Sequence, residues 1–201
     1  MLRACFARAR RRKLLGKPRS RTAAIDATGL ETRHTSAHFV RRCGYRKFLR
    51  LAWPKLTAVF HAATHLIAGV VTGRGPSQDS PQFPEAMRQA AANLRPCRLL
   101  ADKGYDAEHN HALCRRELGI RSTAIPLNPR RAGRRWPRSR YRRLMKRRFP
   151  KRQYRQRAQA ESGFSRHKRR LGSALTARQE QTQDRELRVR VLTHNLMILA
   201  A

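Results

Sequence analysis

The longest apolar stretch of the chain is "KLTAVFHAATHLIAGVVTG", residues 55–73, and it limits the possible folds more than any other feature. The stretch is rich in β-branched residues, which favour strands over a single helix. Its two histidines, His61 and His65, make it too polar to cross a membrane, which takes about 20 apolar residues. We therefore predict two strands joined near Ala63 and a sheet at the centre of the fold.

The segments on either side extend this sheet. Residues 22–32, "TAAIDATGLET", predict a strand before the pair, and a loop rich in Gly, Pro and Ser follows the pair. Pro84 suits the first turn of a helix that runs to about Leu94. A short buried strand at 98–101, a helix over about 107–118 and a strand in "IRSTAIPLN" come next. The order βββαβαβ, followed by helices, predicts an α/β fold with a mixed central sheet.

Two later segments carry weaker patterns. Residues 129–153 contain no acid, which predicts a solvated loop or short helices with a phosphate-binding surface. Trp136 and Tyr141 in this segment either stack on bases or anchor its packing. Five apolar residues near the C-terminus recur at helical spacing and should pack one face of a helix on the sheet: Leu187, Val191, Leu192, Leu196 and Leu199.

The charge balance indicates the kind of partner. The 201 residues include 47 Lys and Arg against 12 Asp and Glu, with a formal net charge of +35 and a pI near 11.9. Such an excess is typical of proteins that bind polyanions. Most of the positive charge is Arg, whose guanidinium can fork onto phosphate oxygens, so nucleic acid is favoured over a membrane surface.

The chain length suits one domain, which we place at residues 22–201. The first 21 residues are free of acids and rich in Arg, so we expect a basic N-terminal arm that contacts phosphate or is disordered; a transit peptide is the weaker alternative. Four cysteines, Cys5, Cys43, Cys97 and Cys114, have neither disulfide-framework nor zinc spacing, which favours a reducing cytosol.

Three of the acids stand out against this basic background. Asp26 interrupts an apolar strand, Asp102 ends another, and Glu161 lies on a late helix among Arg and Lys residues. Each alone is explained as well by a structural ion pair, which for Glu161 would be an i,i+4 pair with Arg157. Together they supply the hard oxygen ligands that Mg²⁺ prefers. Two such ions about 3.5 to 4 Å apart would support an in-line phosphoryl transfer.

The late helix also carries a stripe of functional side chains. At about 100° per residue, Tyr154, Arg157 and Lys168 lie about +20°, −40° and −20° from Glu161 around one continuous helix. The stripe would run for about 21 Å, so its ends could grip DNA backbone on either side of a metal at Glu161. Gly163 costs about 1 kcal/mol in this helix and suggests the close approach of another backbone or a tolerated flaw.

The spacing of these four residues, Y-x₂-R-x₃-E-x₆-K, resembles that of a sub-group of the DDE transposases of bacterial and archaeal insertion sequences. "IDATGLE" resembles the first-aspartate strand of the family, and "LLADKGYD" its second-aspartate motif. The resemblance covers residues 22–201 and implies an RNase H-like fold. It makes Asp26, Asp102 and Glu161 the catalytic, metal-binding residues, with Mg²⁺ as cofactor and Mn²⁺ as its substitute. Tyr154, Arg157 and Lys168 are then DNA-binding residues.

The family resemblance also implies the reaction and the partners. Element ends in double-stranded DNA would be cut to give 3′-hydroxyls, and these would attack target DNA. The expected assembly is a homodimer formed on DNA, in the prokaryotic cytoplasm with the nucleoid and without membrane association. Only 25 residues precede Asp26, so we expect an N-terminally truncated core; the 58 residues between Asp102 and Glu161 leave no room for a large insertion domain.

Three other interpretations stay open at this point. A non-catalytic basic nucleic-acid-binding protein explains the charge but not the positions of the three acids. An RNase H-like nuclease that cuts without joining shares the fold and the metals. A zinc site built from His61 and His65, or from His109 and His111, is disfavoured because no further ligands of suitable spacing are present.

Overall fold

The structure is a computed structural model and describes residues 1–32, 53–129 and 136–201. Cys43 and part of the acid-free segment predicted at 129–153 lie outside the described residues. The strands are β1 Thr22–Gly29, β2 Glu31–Thr32, β3 Trp53–His61, β4 Ile67–Gly75, β5 Arg98–Leu100, β6 Ser122–Ala124 and β7 Ala174–Leu175. The helices are α1 Leu2–Arg11, α2 Phe83–Leu94, α3 Glu108–Ala112, α4 Arg140–Arg147, α5 Lys151–Tyr154, α6 Ala158–Leu171 and α7 Glu180–Ala200.

Five strands form the central sheet in the order β4-β3-β1-β5-β6, and β2 pairs with β7 in a separate two-stranded sheet. In the central sheet β3 runs antiparallel to β1 and β4, whereas β5 and β6 run parallel to β1. The predicted mixed α/β fold with the order βββαβαβ is therefore confirmed. Between Asp102 and Glu161 the described residues form helices and one short strand, without a large inserted domain.

The two faces of the sheet bury separate apolar clusters. Alternation along β1 directs Ala23 and Ile25 to the face covered by α1 and α2, and Ala24 to the opposite face. On that opposite face Ala160 and Phe164 of α6 pack over the sheet. Asp26 and Asp102 also lie on the face covered by α6.

The predicted helix over 107–118 is present and has one irregularity. It begins as α3 and continues through a π-helical turn, Leu113–Glu117, before Gly119 with φ +66°. The helical segment therefore ends near residue 118 as predicted, at a glycine that suits the left-handed backbone. Cys114 within this turn is buried and unpaired, as are Cys5 and Cys97, so no disulfide joins these three cysteines.

Helix α7 packs on the sheet through most of the predicted residues, with one exception. Leu187, Val191 and Leu199 are buried as expected, but Leu196 is exposed. The polar residue Asn195 takes the buried position instead: its side chain accepts from Ile67 N at 2.8 Å and donates to Ile67 O at 2.9 Å. A pattern of apolar residues alone does not predict the burial of Asn195. Its side-chain amide can be buried because both its donor and its acceptor are hydrogen-bonded.

The first residues of the chain are not a disordered arm. Helix α1 buries Cys5, Phe6 and Ala9 in the core cluster beneath the sheet, and Arg12 donates to Leu199 O of α7. Disorder is therefore wrong for Leu2–Arg11, because three small or apolar residues on one helical face are enough to dock it. Phosphate contacts by these residues, and a domain boundary at residue 21, stay predictions.

Within the acid-free segment, Tyr141 of α4 is a packing anchor. It is buried, its ring stacks on His111 at 6.1 Å, and the guanidinium of Arg115 lies 5.1 Å from its centroid. Trp136 is exposed, and base stacking by its ring stays a prediction. Among the described residues, no helix is both long enough and apolar enough to cross a membrane.

Candidate active site

The pairing of β1 with β5 places Asp26 and Asp102 at the same level. The two strands are parallel, with Thr22 opposite Arg98 and Ala24 opposite Leu100. Continuing this register by two residues brings Asp26 opposite Asp102, just past the carboxyl end of β5. Neighbouring strands lie about 4.8 Å apart, so the two carboxylates start from adjacent backbone positions.

Both aspartates face the same side of the sheet. Side chains two residues apart in a strand share a face, so Asp26 lies on the face of Ala24 and Asp102 on the face of Leu100. Ala24 and Leu100 belong to the cluster covered by α6. The sheet therefore presents both carboxylates towards the helix that carries Glu161.

Helix α6 approaches this face closely because it has a glycine at the contact. A Cβ built on Gly163 would lie 2.6 Å from Cε1 of Phe60, whose ring is fully buried and packs edge-on against Phe164 at 4.9 Å. The group that approaches Gly163 closely is therefore an aromatic ring and not another backbone. Glu161, two residues earlier, lies beside this contact with 61% of its side chain exposed.

Arg157 joins the sheet to the helix. Its Nη2 lies 3.4 Å from Asp26 Oδ2, and its Nη1 donates to Glu161 Oε1. The guanidinium side chain is mostly buried. The i,i+4 pair proposed as the simple explanation for Glu161 is therefore present, and the same arginine also contacts the strand aspartate.

Asp26 is held in an environment that disfavours its charge. Burial is the largest cause that raises its pKa above the ordinary value, and the negative charges of Asp102 and Glu161 add to it. The Ala27 N–H, 3.0 Å from Asp26 Oδ1, and the charge of Arg157 act in the opposite direction. The three acids therefore lie close enough to repel one another, which a cation would relieve.

Asp102 has one oxygen committed to the backbone. Its Oδ1 accepts from Gly104 N at 2.7 Å and so caps the 3₁₀ turn Lys103–Tyr105. The other oxygen, Oδ2, accepts no hydrogen bond from the described residues. This arrangement fixes the carboxylate while leaving an oxygen for a ligand.

The donor set fits a hard divalent cation, although the acids are not gathered around one point. Within the described ranges, no group of three His, Cys, Asp or Glu residues has an arrangement that could hold a metal ion. Arg157 instead bridges Asp26 and Glu161 as their cation. Three carboxylates are the oxygen donors that Mg²⁺ selects, and the exposed Glu161 side chain has the freedom to turn towards the other two.

The predicted stripe of Tyr154, Arg157, Glu161 and Lys168 lies on three helical segments rather than one helix. A 3₁₀ turn, Arg155–Arg157, separates α5 from α6. The single continuous helix is therefore wrong, because a 3₁₀ turn has three residues per turn and the 100° offsets do not carry across it.

The remaining two members of the stripe have separate contacts. Tyr154 is half-buried against Phe149, with ring centroids 5.0 Å apart, and burial raises the pKa of its hydroxyl. The charges of Asp26, Asp102 and Glu161 also act on this hydroxyl, so it lies near the acidic site. Lys168 Nζ donates to Gly29 O at 2.9 Å and ties α6 to the end of β1.

Two acids outside the candidate site, Asp106 and Glu108, have structural roles. Asp106 is 1% exposed, forms two hydrogen bonds of 2.9 Å with Arg142, and accepts from Asn128 N at 2.8 Å. Glu108 accepts from Tyr141 N at 3.0 Å and so caps α4. Burial acts to raise the pKa of Glu108, but the hydrogen bonds outweigh it and the pKa lies below its usual value. No local pattern pairs residues that lie this far apart in the chain.

Three of the four histidines of the disfavoured zinc interpretation have individual protein partners. His61 Nδ1 lies 2.9 Å from Thr64 Oγ1, His65 Nε2 lies 2.8 Å from Gln159 Oε1, and His111 Nδ1 lies 2.7 Å from Thr123 Oγ1. None of them belongs to a three-ligand group among the described residues. These rings thus contribute to packing and hydrogen bonding of the fold.

The strand order is that of an RNase H-like fold. Its candidate site consists of two aspartates at the same level of neighbouring strands and a glutamate on the helix that covers them. The sequence model of the transposase DDE domain family matches residues 17–196, and the chain belongs to this family. Membership makes it a transposase catalytic core, in a family of DNA-cleaving enzymes that use divalent metals such as Mg²⁺. Comparison with curated proteins and with solved structures gave no match.

Proposed function

We propose that the chain catalyses DNA transposition by metal-dependent phosphoryl transfer, with Asp26, Asp102 and Glu161 as the catalytic, metal-binding acids. The observation that carries the proposal is that Asp26 on β1 and Asp102, just past the adjacent parallel strand β5, lie at the same level and on the sheet face covered by the helix of Glu161. The spacing of Tyr154, Arg157, Glu161 and Lys168 supports membership of the Y-x₂-R-x₃-E-x₆-K sub-group.

The carboxylates would hold Mg²⁺, with Mn²⁺ as a substitute. Bound there as a pair, such ions supply Lewis-acid activation of a water or 3′-hydroxyl and stabilisation of the leaving oxygen. Asp26 and Asp102 provide a rigid base on the sheet, whereas Glu161 turns in from α6. Arg157 is then released from its contacts with Asp26 and Glu161 and becomes available for a DNA phosphate.

The other two side chains of the motif would position the DNA strand. Lys168, now bonded to Gly29 O, lies at the end of β1 where a phosphate could replace that carbonyl. Tyr154 presents its hydroxyl near the acids and would orient a flanking strand. The substrate is double-stranded DNA, at element ends and at the target, and the working assembly is a homodimer on that DNA.

The test is nicking and strand transfer on a pre-cut DNA end, with Mg²⁺ or Mn²⁺, by the native protein and by Glu161→Gln. Glu117→Gln is the matched control, because Glu117 is 62% exposed against 61% for Glu161 and also pairs with an arginine. We expect metal-dependent product from the native protein and from Glu117→Gln, and none from Glu161→Gln.

The products also separate the alternatives. Cut DNA without joined product would indicate a nuclease that does not transfer strands. DNA binding without any metal-dependent product from the native protein would indicate either a truncated, inactive transposase or a basic nucleic-acid-binding protein. Undiminished joining by Glu161→Gln would remove Glu161 from the proposed catalytic set.

A further inference from the structure

A basic cavity lies at the end of the sheet opposite the acidic site. Its volume is about 480 Å³, and its walls are the segments that precede three parallel strands. Arg19 lies before β1, Arg95 before β5, and Arg121 before β6, and all three line the cavity. Asp26 lies in the middle of β1 and Asp102 two residues past the end of β5, so the cavity is at the amino ends of these strands and the acids lie further along them.

The walls of the cavity are tied together by hydrogen bonds. Cys97 Sγ donates to Arg19 O at 3.0 Å, and Cys97 N donates to Arg21 O at 2.9 Å. Ser122 N donates to Cys97 O at 3.2 Å. The three segments therefore form one ordered surface, and their arginines project from a fixed backbone.

Arg95 occupies a backbone conformation that favours glycine. It ends α2 with φ 52° and ψ 64°, in the left-handed region, and its N–H donates to Ala91 O at 3.2 Å. Glycine is the usual residue at such a helix end, because a side chain there is strained. An arginine in place of glycine here adds a third guanidinium to the wall of the cavity.

The positive charge of the cavity is not neutralised by its own walls. No acid is among the described residues that line it, and Glu117, which precedes the lining residue Leu118, pairs with Arg88 at 3.7 Å. The carboxyl end of α2 contributes only about half a negative charge, against three guanidinium groups. The charge of the cavity therefore remains strongly positive.

Arg21 precedes β1 beside the cavity, and the positive charge of the cavity residue Arg95 acts on its guanidinium. Burial lowers the pKa of Arg21, and the positive charges of Arg10 and Arg95 lower it further. Its Nε is buried and has no hydrogen-bond partner among the described residues. An anion in the cavity would relieve this crowding of like charges.

We propose that this cavity binds the phosphate backbone of a DNA duplex, separate from the segment bound at the acids. Its lining includes no aromatic side chain on which a base could stack, which favours backbone phosphates over single-stranded bases or nucleotides. Thr22 and Asp26 are four positions apart along β1, or about 13 Å, and Arg19 precedes Thr22 in the chain. The cavity would therefore contact a different set of phosphates from those held at the acids.

The inference rests on the proposed function only in taking DNA as the partner, and it is tested without catalysis. Binding of a fluorescent 20-base-pair duplex is measured in EDTA over a range of KCl concentrations. The cavity variant combines Arg19→Gln, Arg95→Gly and Arg121→Gln, in which glycine suits the left-handed position and protects folding. The matched control also removes three charges, from residues exposed at or near α7: Arg178→Gln, Arg185→Gln and Arg188→Gln.

We expect the slope of log K against log salt to weaken by about 3 in the cavity variant, since each neutralised phosphate contributes about 0.9. The control should change the slope by no more than about 1. Equal weakening in both variants would refute the proposal, because it would report net charge rather than a site. Thermal unfolding of both variants checks that each is folded.

A second measurement uses the native protein alone. Phenylglyoxal modifies accessible arginines, and mass spectrometry of the digested protein reports each position. Saturating duplex should protect Arg19, Arg95 and Arg121 several-fold more than Arg178, Arg185 and Arg188. Equal protection of both sets would contradict the proposal, whereas selective protection in a protein without nicking activity would support the cavity and reject the proposed catalysis.

Discussion

Replacing Gly163 with alanine tests how closely α6 must lie against the sheet. The new Cβ would lie 2.6 Å from Cε1 and 2.7 Å from Cδ1 of Phe60. The Phe60 ring is fully buried and is held edge-on by Phe164, so it has little room to move away. Helix α6 must therefore shift outward, and Glu161 moves with it.

The expected magnitude follows from two opposing contributions. Alanine in place of glycine stabilises a helix interior by about 1 kcal/mol. Overpacking of a filled core costs about 1 to 3 kcal/mol. At both distances the overlap is severe, so we expect Gly163→Ala to lower the free energy of unfolding by about 1 kcal/mol instead of raising it. A displacement of about 1 Å at Glu161 would also reduce the transfer rate on the order of 100-fold.

Urea unfolding of the native protein, Gly163→Ala, Phe60→Leu and the double variant measures the coupling directly. With the ring removed, the clash is relieved and Gly163→Ala should become stabilising by about 1 kcal/mol. The two substitutions are then coupled by about 2 kcal/mol. A stabilising effect of Gly163→Ala in the native background would refute the close packing described here.

Three further predictions concern the buried polar groups. Burial lowers the pKa of His111 and of His167 to about 4, so between about pH 6.5 and pH 4 only the unfolded chain takes up these protons. The free energy of unfolding from urea titrations should fall as the pH is lowered through this range, by about 1.4 kcal/mol per pH unit for each histidine, and the urea midpoint should fall with it. Asp106→Ala should cost about 3 kcal/mol in urea unfolding, near the low end for a broken buried pair because the Arg142 side chain is 17% exposed. Asn195→Leu should cost at least about 2 kcal/mol and speed hydrogen exchange at the Ile67 amide, since both backbone partners are left unpaired. Flat midpoints across this pH range, an Asp106→Ala loss below about 0.5 kcal/mol, or unchanged Ile67 exchange would each contradict the corresponding assignment.

The central sheet could be predicted from the sequence because its signals are local. Each strand is a short apolar run bounded by Gly, Pro or an acid, and periodicity within a few residues identifies it. Asp26 and Asp102 stood out for the same reason, since a charge within or directly after an apolar run is visible without knowledge of the fold. The structure adds their register, which depends on which strands pair.

The features that the sequence did not disclose depend on contacts between distant segments. Asp106 meets Arg142 across the fold, and the cavity arginines come from three separate connections. Helix α1 was obscured because its Arg-rich composition hides Phe6 on one narrow face. The 3₁₀ turn before α6 was missed for a different, local reason: nothing in its residue types distinguishes it from an α-helix.

The register of β1 and β5 also determines where this chain can gain or lose residues during evolution. One residue inserted between Thr22 and Asp26 would turn the carboxylate to the face of α1 and α2, while two would shift it along the strand by about 7 Å. Insertions between β4 and α2 leave both strands and their register unchanged. The chain can therefore vary in length in its connections, whereas the two aspartate strands must keep their length to the residue.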